Sequence, residues 1–160
     1  MSMDAQRTAR GARRRSGVRC RPPAGRWLTG ARVAFGAFFV AMAAYNAVVV
    51  VPRAADAYRD VAHVSWPGVD RLVLELVVPV ATPLAVALVA FELGVALLVL
   101  SAGDTVRAGL LAAIVFMVAL APLMSLYELA NVPLIVLALV LLTREHERSL
   151  LDVLRSIRLS

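Results

Sequence analysis

Few residues in this chain can do chemistry, and they fall on its apolar runs. Tyr45 and Asn46 lie near the end of the first run and Glu92 lies deep in the second. Glu128 and Asn131 stand near the start of the last, with Tyr127 beside them. An ionisable group at bilayer depth costs about 2.5 kcal/mol or more, and such groups face a bundle interior or a cavity. Counting helical rise from the inner ends puts Asn46 about 21 Å from Arg32 and Asn131 about 18 Å from Thr143. Glu128 is three residues further out than Asn131. These three are expected at similar depth in the outer half. Glu92 comes about 14 Å before Ser101, near the midplane. Tyr45, Asn46, Glu92, Glu128 and Asn131 therefore define a candidate polar pocket, open to the outer side and able to hold a proton or a small polar head group such as a quinone. The structural alternative uses the same residues: Glu92 as a protonated packing group, with Asn46 and Asn131 as hydrogen-bonding glue between helices.

Other chemistries are excluded by what the chain lacks. All 17 basic residues are arginine. Without lysine there is no Schiff base for retinal or pyridoxal, and no P-loop. Cys20 is the single cysteine, so neither an intramolecular disulfide nor a C-x-x-C pair can form. His63 and His146 both lie outside the apolar runs, which excludes a haem held by two histidines at membrane depth. No catalytic triad, metal-ligand spacing or glycine-rich phosphate loop is present. No catalytic residue and no metal site is expected.

The elements that must position the polar residues follow from composition. Hydrophobic residues make up 61% of the 160 and charged residues 18%. Soluble domains average about 45–50% and 25%. A chain this small cannot cover a soluble surface with so few polar groups, so the bilayer is its expected solvent and a soluble enzyme is excluded. Residues 1–26 hold eight Arg against Asp4, while the other 134 hold nine Arg against ten acids. The net charge of +6 thus belongs to an Arg-rich tail, expected to be disordered and to act as a topogenic signal rather than as a specific nucleic-acid site.

The transmembrane domain is expected over residues 27–143, with helices at about 27–51, 82–101, 105–124 and 125–143. Val33–Val51 alone supplies 19 apolar residues, enough to cross and longer than a signal-peptide core. Trp27 and Arg32 stand at its inner edge, as an interfacial anchor and a snorkelling guanidinium. Residues 52–79 read as an outer loop with a short interfacial helix, where Tyr58, His63 and Trp66 serve as interfacial aromatics. Arg71–Leu100 is too long for one crossing, and Pro79 and Pro83 are expected to break or kink it. Gly36, Ala41, Ala43 and Ala44 permit close helix packing, while Met42, Met117 and Met124 fill core or face lipid. Residues 144–160 repeat apolar positions at helical spacing, giving an amphipathic tail helix. The excess of arginine at the two ends and at Arg107 places both termini in the cytoplasm.

In this arrangement the chain resembles the DoxX-like membrane proteins over about residues 28–143. The resemblance is carried by ARVAFGAFF with Asn46 further along, by FELGVALLVLSAGDTVRAGLLAAIVFMVAL, and by ELANVPLIVLALVLL. It departs in the long outer segment with Pro79 and Pro83, and in lacking a lysine after the first helix. The resemblance implies an all-α, multi-pass four-helix bundle in the plasma or inner membrane. It further implies a non-catalytic or accessory subunit of a quinone-linked or redox membrane complex, with a redox enzyme or further copies of itself as partner. Two alternatives stand beside it: a small proton-linked permease using Glu92, and a structural or assembly factor.

Overall fold

In the computed structural model the described residues are 26–124, 129 and 131–144, and among them the fold is all-helical without strands. The Arg-rich tail before Arg26, Cys20, Tyr127, Glu128, His146 and the expected tail helix lie outside them. The chain runs through α1 (Arg26–Tyr45), a π-turn (Asn46–Val50) and a 3₁₀ turn (Val51–Arg53) into α2 (Ala54–Val64). After a turn at 65–68 come α3 (Val69–Leu72), a second π-turn (Val73–Val77), a second 3₁₀ turn (Val78–Val80) and α4 (Ala81–Leu100). Helices α5 (Asp104–Met124) and α6 (Val132–Leu142) complete it. Three continuous helical stretches are long and apolar enough to cross a membrane: Trp27–Val64, Val69–Leu100 and Asp104–Leu123. The fourth expected crossing is represented by α6, whose 11 described residues reach about 16 Å.

Helix α1 packs on α4, α4 on α5, and α5 on α6. Antiparallel register is fixed by glycine. A Cβ on Gly36 would lie 2.7 Å from Leu100, and one on Gly109 would lie 2.8 Å from the Leu98 Cβ. Only a bare Cα lets the backbones approach so closely. Further along α4 and α5, the rings of Phe91 and Phe116 meet at 4.9 Å. The tight α4–α5 connection uses Gly103 at φ 69°, a conformation that suits glycine. The core joins Phe35 and Phe39 of α1, Val95 and Val99 of α4, Leu110 and Ala113 of α5, and Ala138 and Leu141 of α6.

The inward stripe of α1 runs Leu28, Arg32, Phe35, Phe39, Ala43 and Asn46, at the three- and four-residue spacing of one helix face. Arg32 is 3% exposed, so its guanidinium does not snorkel as expected. The reason is register: Arg32 falls on the stripe that α1 buries. Ala43 shares that stripe, whereas Ala41 and Ala44 face outward. Met117 is buried in the core, as one of the two roles expected for it.

Where a loop with a short interfacial helix was expected, residues 54–64 form a full helix and the Val73–Val80 turns continue the helical path. Pro79 does mark a break: Val80 leaves the α-helical region at φ −118°, ψ 27°. Pro83 does not. It sits in the first turn of α4, where a missing N–H removes no helical hydrogen bond.

Candidate functional site

The proline joint at Val73–Val80 has a twin at Asn46–Arg53, directly after α1. Val51 donates its N–H to Asn46 O five residues back, and Val78 does the same to Val73 O. A Val-Pro pair follows each time, and Pro52 and Pro79 each open a 3₁₀ turn. Proline lacks a donor and crowds the preceding turn, so the wide turn ahead of it relieves that clash. Arg53 then bends the path at φ −130°, ψ 35°, as Val80 does on the return.

Asn46 opens the first π-turn, and α1 aims its side chain inward. Its Nδ2 amide donates to both carboxylate oxygens of Glu92, each at 2.8 Å. Asn46 is 7% exposed and Glu92 3%. Glu92 occupies the α4 stripe of Ala85, Val95 and Val99, which faces α1. Counted along α4, it lies about 16 Å from Ala81 at one end and about 14 Å from Ser101 at the other. Asn46 therefore stands level with Glu92 rather than further along. Gly36 explains this: it packs on Leu100, so Arg32 lies one helical turn beyond the Leu100 end of α4, and counting from Arg32 adds that turn.

Helix α2 packs on α4 beyond this pair, about two to three helical turns from Glu92. Its inward face carries Ala54, Tyr58 and Ala62, with Ala54 packed on Ala81 and Ala85 of α4. Tyr58 joins that cluster and lies within Coulombic reach of Glu92. The opposite face of α2 is exposed, with Asp56 and Arg59 paired at 2.6 Å and His63 in solvent. At its far end the single Ser65 hydroxyl proton is shared between Val61 O of α2 at 2.8 Å and Leu123 O at 2.9 Å, and Trp66 N–H donates to Pro122 O at 3.0 Å. The Leu123 and Pro122 carbonyls belong to the last described turn of α5.

Of the five residues expected to line one pocket, the structure brings Asn46 and Glu92 into contact. Tyr45 is 51% exposed on the outer side of α1. Asn131 is half-buried at the N-terminus of α6, and Glu128 lies outside the described residues. Tyr58 is the site residue that the sequence reading assigned elsewhere, as an interfacial aromatic. The signal for it was present: Ala54, Tyr58 and Ala62 are spaced four apart, a small-large-small face suited to close packing.

The pair offers complementary chemistry. An ionised carboxylate only accepts hydrogen bonds, a protonated one also donates, and the Asn46 amide donates through its nitrogen and accepts through its oxygen. Such a set can hold a head group bearing carbonyls or hydroxyls. Among the described residues no group of histidine, cysteine and acids is arranged to hold a metal. Comparison with family models, curated proteins and solved structures returns no match.

Proposed function

We propose that this chain is a multi-pass DoxX-like protein of the plasma or inner membrane, with both ends cytoplasmic, that serves as an accessory subunit of a redox complex and binds a quinone head group at the Asn46–Glu92 pair. The observation that carries the reading is the buried Asn46–Glu92 pair. A polar pair at this depth is costly unless it is satisfied or used, and this one combines a donor with an acceptor at the level where a lipid-soluble head group resides. The two redox states of a quinone need these two functions. The oxidised carbonyl takes a hydrogen bond from an amide or a protonated carboxyl, and the reduced hydroxyl gives one to a carboxylate. The bilayer supplies the ligand's path, and the broad apolar outer faces of α1, α4 and α5 suit contact with lipid or with a partner subunit.

Purification from native membranes in mild detergent, followed by solvent extraction, tests this. Quinone and a redox enzyme are expected to accompany the wild-type chain, and Glu92→Gln and Asn46→Ala are expected to lose most of the quinone. Wild-type quinone content in both variants overturns the site. The same pair also suits a proton-linked permease, because Glu92 is the acidic residue buried at mid-depth. Substrate-dependent proton uptake by vesicles, abolished in Glu92→Gln and unaccompanied by quinone, selects that reading instead.

A further inference from the structure

Residues 54–80 have the construction of a moving part. The helical hairpin α2–α3 leaves the bundle at Arg53 and rejoins it at Val80, and both are bend points directly after a Val-Pro 3₁₀ turn. The hairpin also lies across the bundle's outer end rather than standing up from it. Its base packs through Ala54 on Ala81 and Ala85. Its tip, at Ser65 and Trp66, touches Pro122 and Leu123. Helices α4 and α5 are antiparallel, with Phe91 beside Phe116 and Gly109 beside Leu98. That register places Pro122 and Leu123 at the height of Ala85. Base and tip therefore rest on one level, and α2 spans about 16 Å from α1 and α4 to α5.

From this geometry we infer that residues 54–80 are a lid over the Asn46–Glu92 site, hinged at the two proline joints and latched on α5 by Ser65 and Trp66. Hinges are element-terminal residues that absorb a change in backbone angle, and both joints already depart from α-helical geometry. The buried base contacts are alanines, with the partly buried Tyr58 ring packed beside them. The latch consists of hydrogen bonds to helix-end carbonyls that water can replace when the lid lifts. Lifting carries Tyr58 away from Glu92 and opens the polar pair to the outer side. It also loads the first joint directly, because the Asn46 carbonyl closes that π-turn while the Asn46 side chain holds Glu92. Lid position and pair geometry are coupled through one residue.

The inference deepens the quinone reading and rests on the same site, so its test is read without ligand. In a Cys20→Ser background, nitroxide labels at Asp60→Cys on exposed α2 and Leu111→Cys on exposed α5 report the lid distance in nanodiscs by pulsed electron resonance. Two distance populations are expected. Ser65→Ala should raise the open-to-closed ratio roughly 2- to 12-fold, the range of one hydrogen bond. Pro52→Ala with Pro79→Ala should lower it. A single narrow distance unchanged by Ser65→Ala overturns the lid. If Glu92→Gln still loses its quinone in that case, the binding site stands and only the lid falls. Two populations together with unaltered quinone content in Glu92→Gln leave the lid and remove the quinone site.

Discussion

Asn46 at the end of α1 and Glu92 midway along α4, 46 residues apart in sequence, are joined by a side-chain amide that reaches both carboxylate oxygens at 2.8 Å. Everything else in the site is arranged around that contact: the register set by Gly36 aligns the two residues, the first proline joint begins at one of them, and Tyr58 stands over the other.

Removing one partner should cost stability and removing both should cost less than the sum. Asn46→Ala leaves the Glu92 carboxyl without its amide donor, and interhelical hydrogen bonds in membranes are worth about 0.5–2 kcal/mol. Thermal unfolding in nanodiscs of Asn46→Ala, Glu92→Leu and the double variant gives a coupling energy in that range. Strict additivity would show that the contact contributes nothing to stability.

Gly36, Gly94 and Gly109, on the helices of the bundle core, should rank by what a methyl group would meet. At Gly109 it would meet the Leu98 Cβ at 2.8 Å and the Val99 backbone N at 3.0 Å, neither of which can step aside. Gly109→Ala is expected to destabilise by about 1–3 kcal/mol. At Gly36 the obstacle is the end of the Leu100 side chain, so the cost should be smaller and relieved by adding Leu100→Ala. Nothing lies within 4 Å at Gly94, and Gly94→Ala should be neutral or stabilising by up to about 1 kcal/mol through helix propensity. A reversed order in melting temperature contradicts the register described.

Tyr58 supplies a packed ring and a hydroxyl, and the two roles separate by substitution. Tyr58→Phe keeps the contact with Ala54, Ala81 and Ala85, so melting should be nearly unchanged while quinone content falls severalfold. Tyr58→Ala should lower both. Full quinone retention in Tyr58→Phe would confine the residue to packing.

Orientation has a direct measurement. In a Cys20→Ser background, a membrane-impermeant thiol reagent should label His63→Cys on intact cells if, as proposed, both ends are cytoplasmic and α2 faces outward. Asp104→Cys, whose native side chain is 95% exposed in the α4–α5 turn, should react only after permeabilisation. The opposite pattern inverts the topology derived from arginine placement.

What the sequence by itself determined is the material of the fold. Its 61% hydrophobic content and its runs of apolar residues specify helices of near-membrane length, since a backbone in hydrocarbon must satisfy its hydrogen bonds internally. Pro79 marked a break because proline withholds a donor whatever surrounds it. Glu92 and Asn46 stood out because polar groups at depth are expensive. Which face of each helix turns inward was decided by the tertiary structure alone. Helix α4 is apolar nearly all round, so lipid and core look the same to its side chains and periodicity carries no direction. Sequence alone thus suggests the interface for Arg32, which α1 buries, and an interfacial role for Tyr58, which α2 packs against Ala81 and Ala85. The approaches at Gly36 and Gly109 set the helix registers, and through them the meeting of Asn46 with Glu92, because a close contact between two helices depends on both at once and is written in neither.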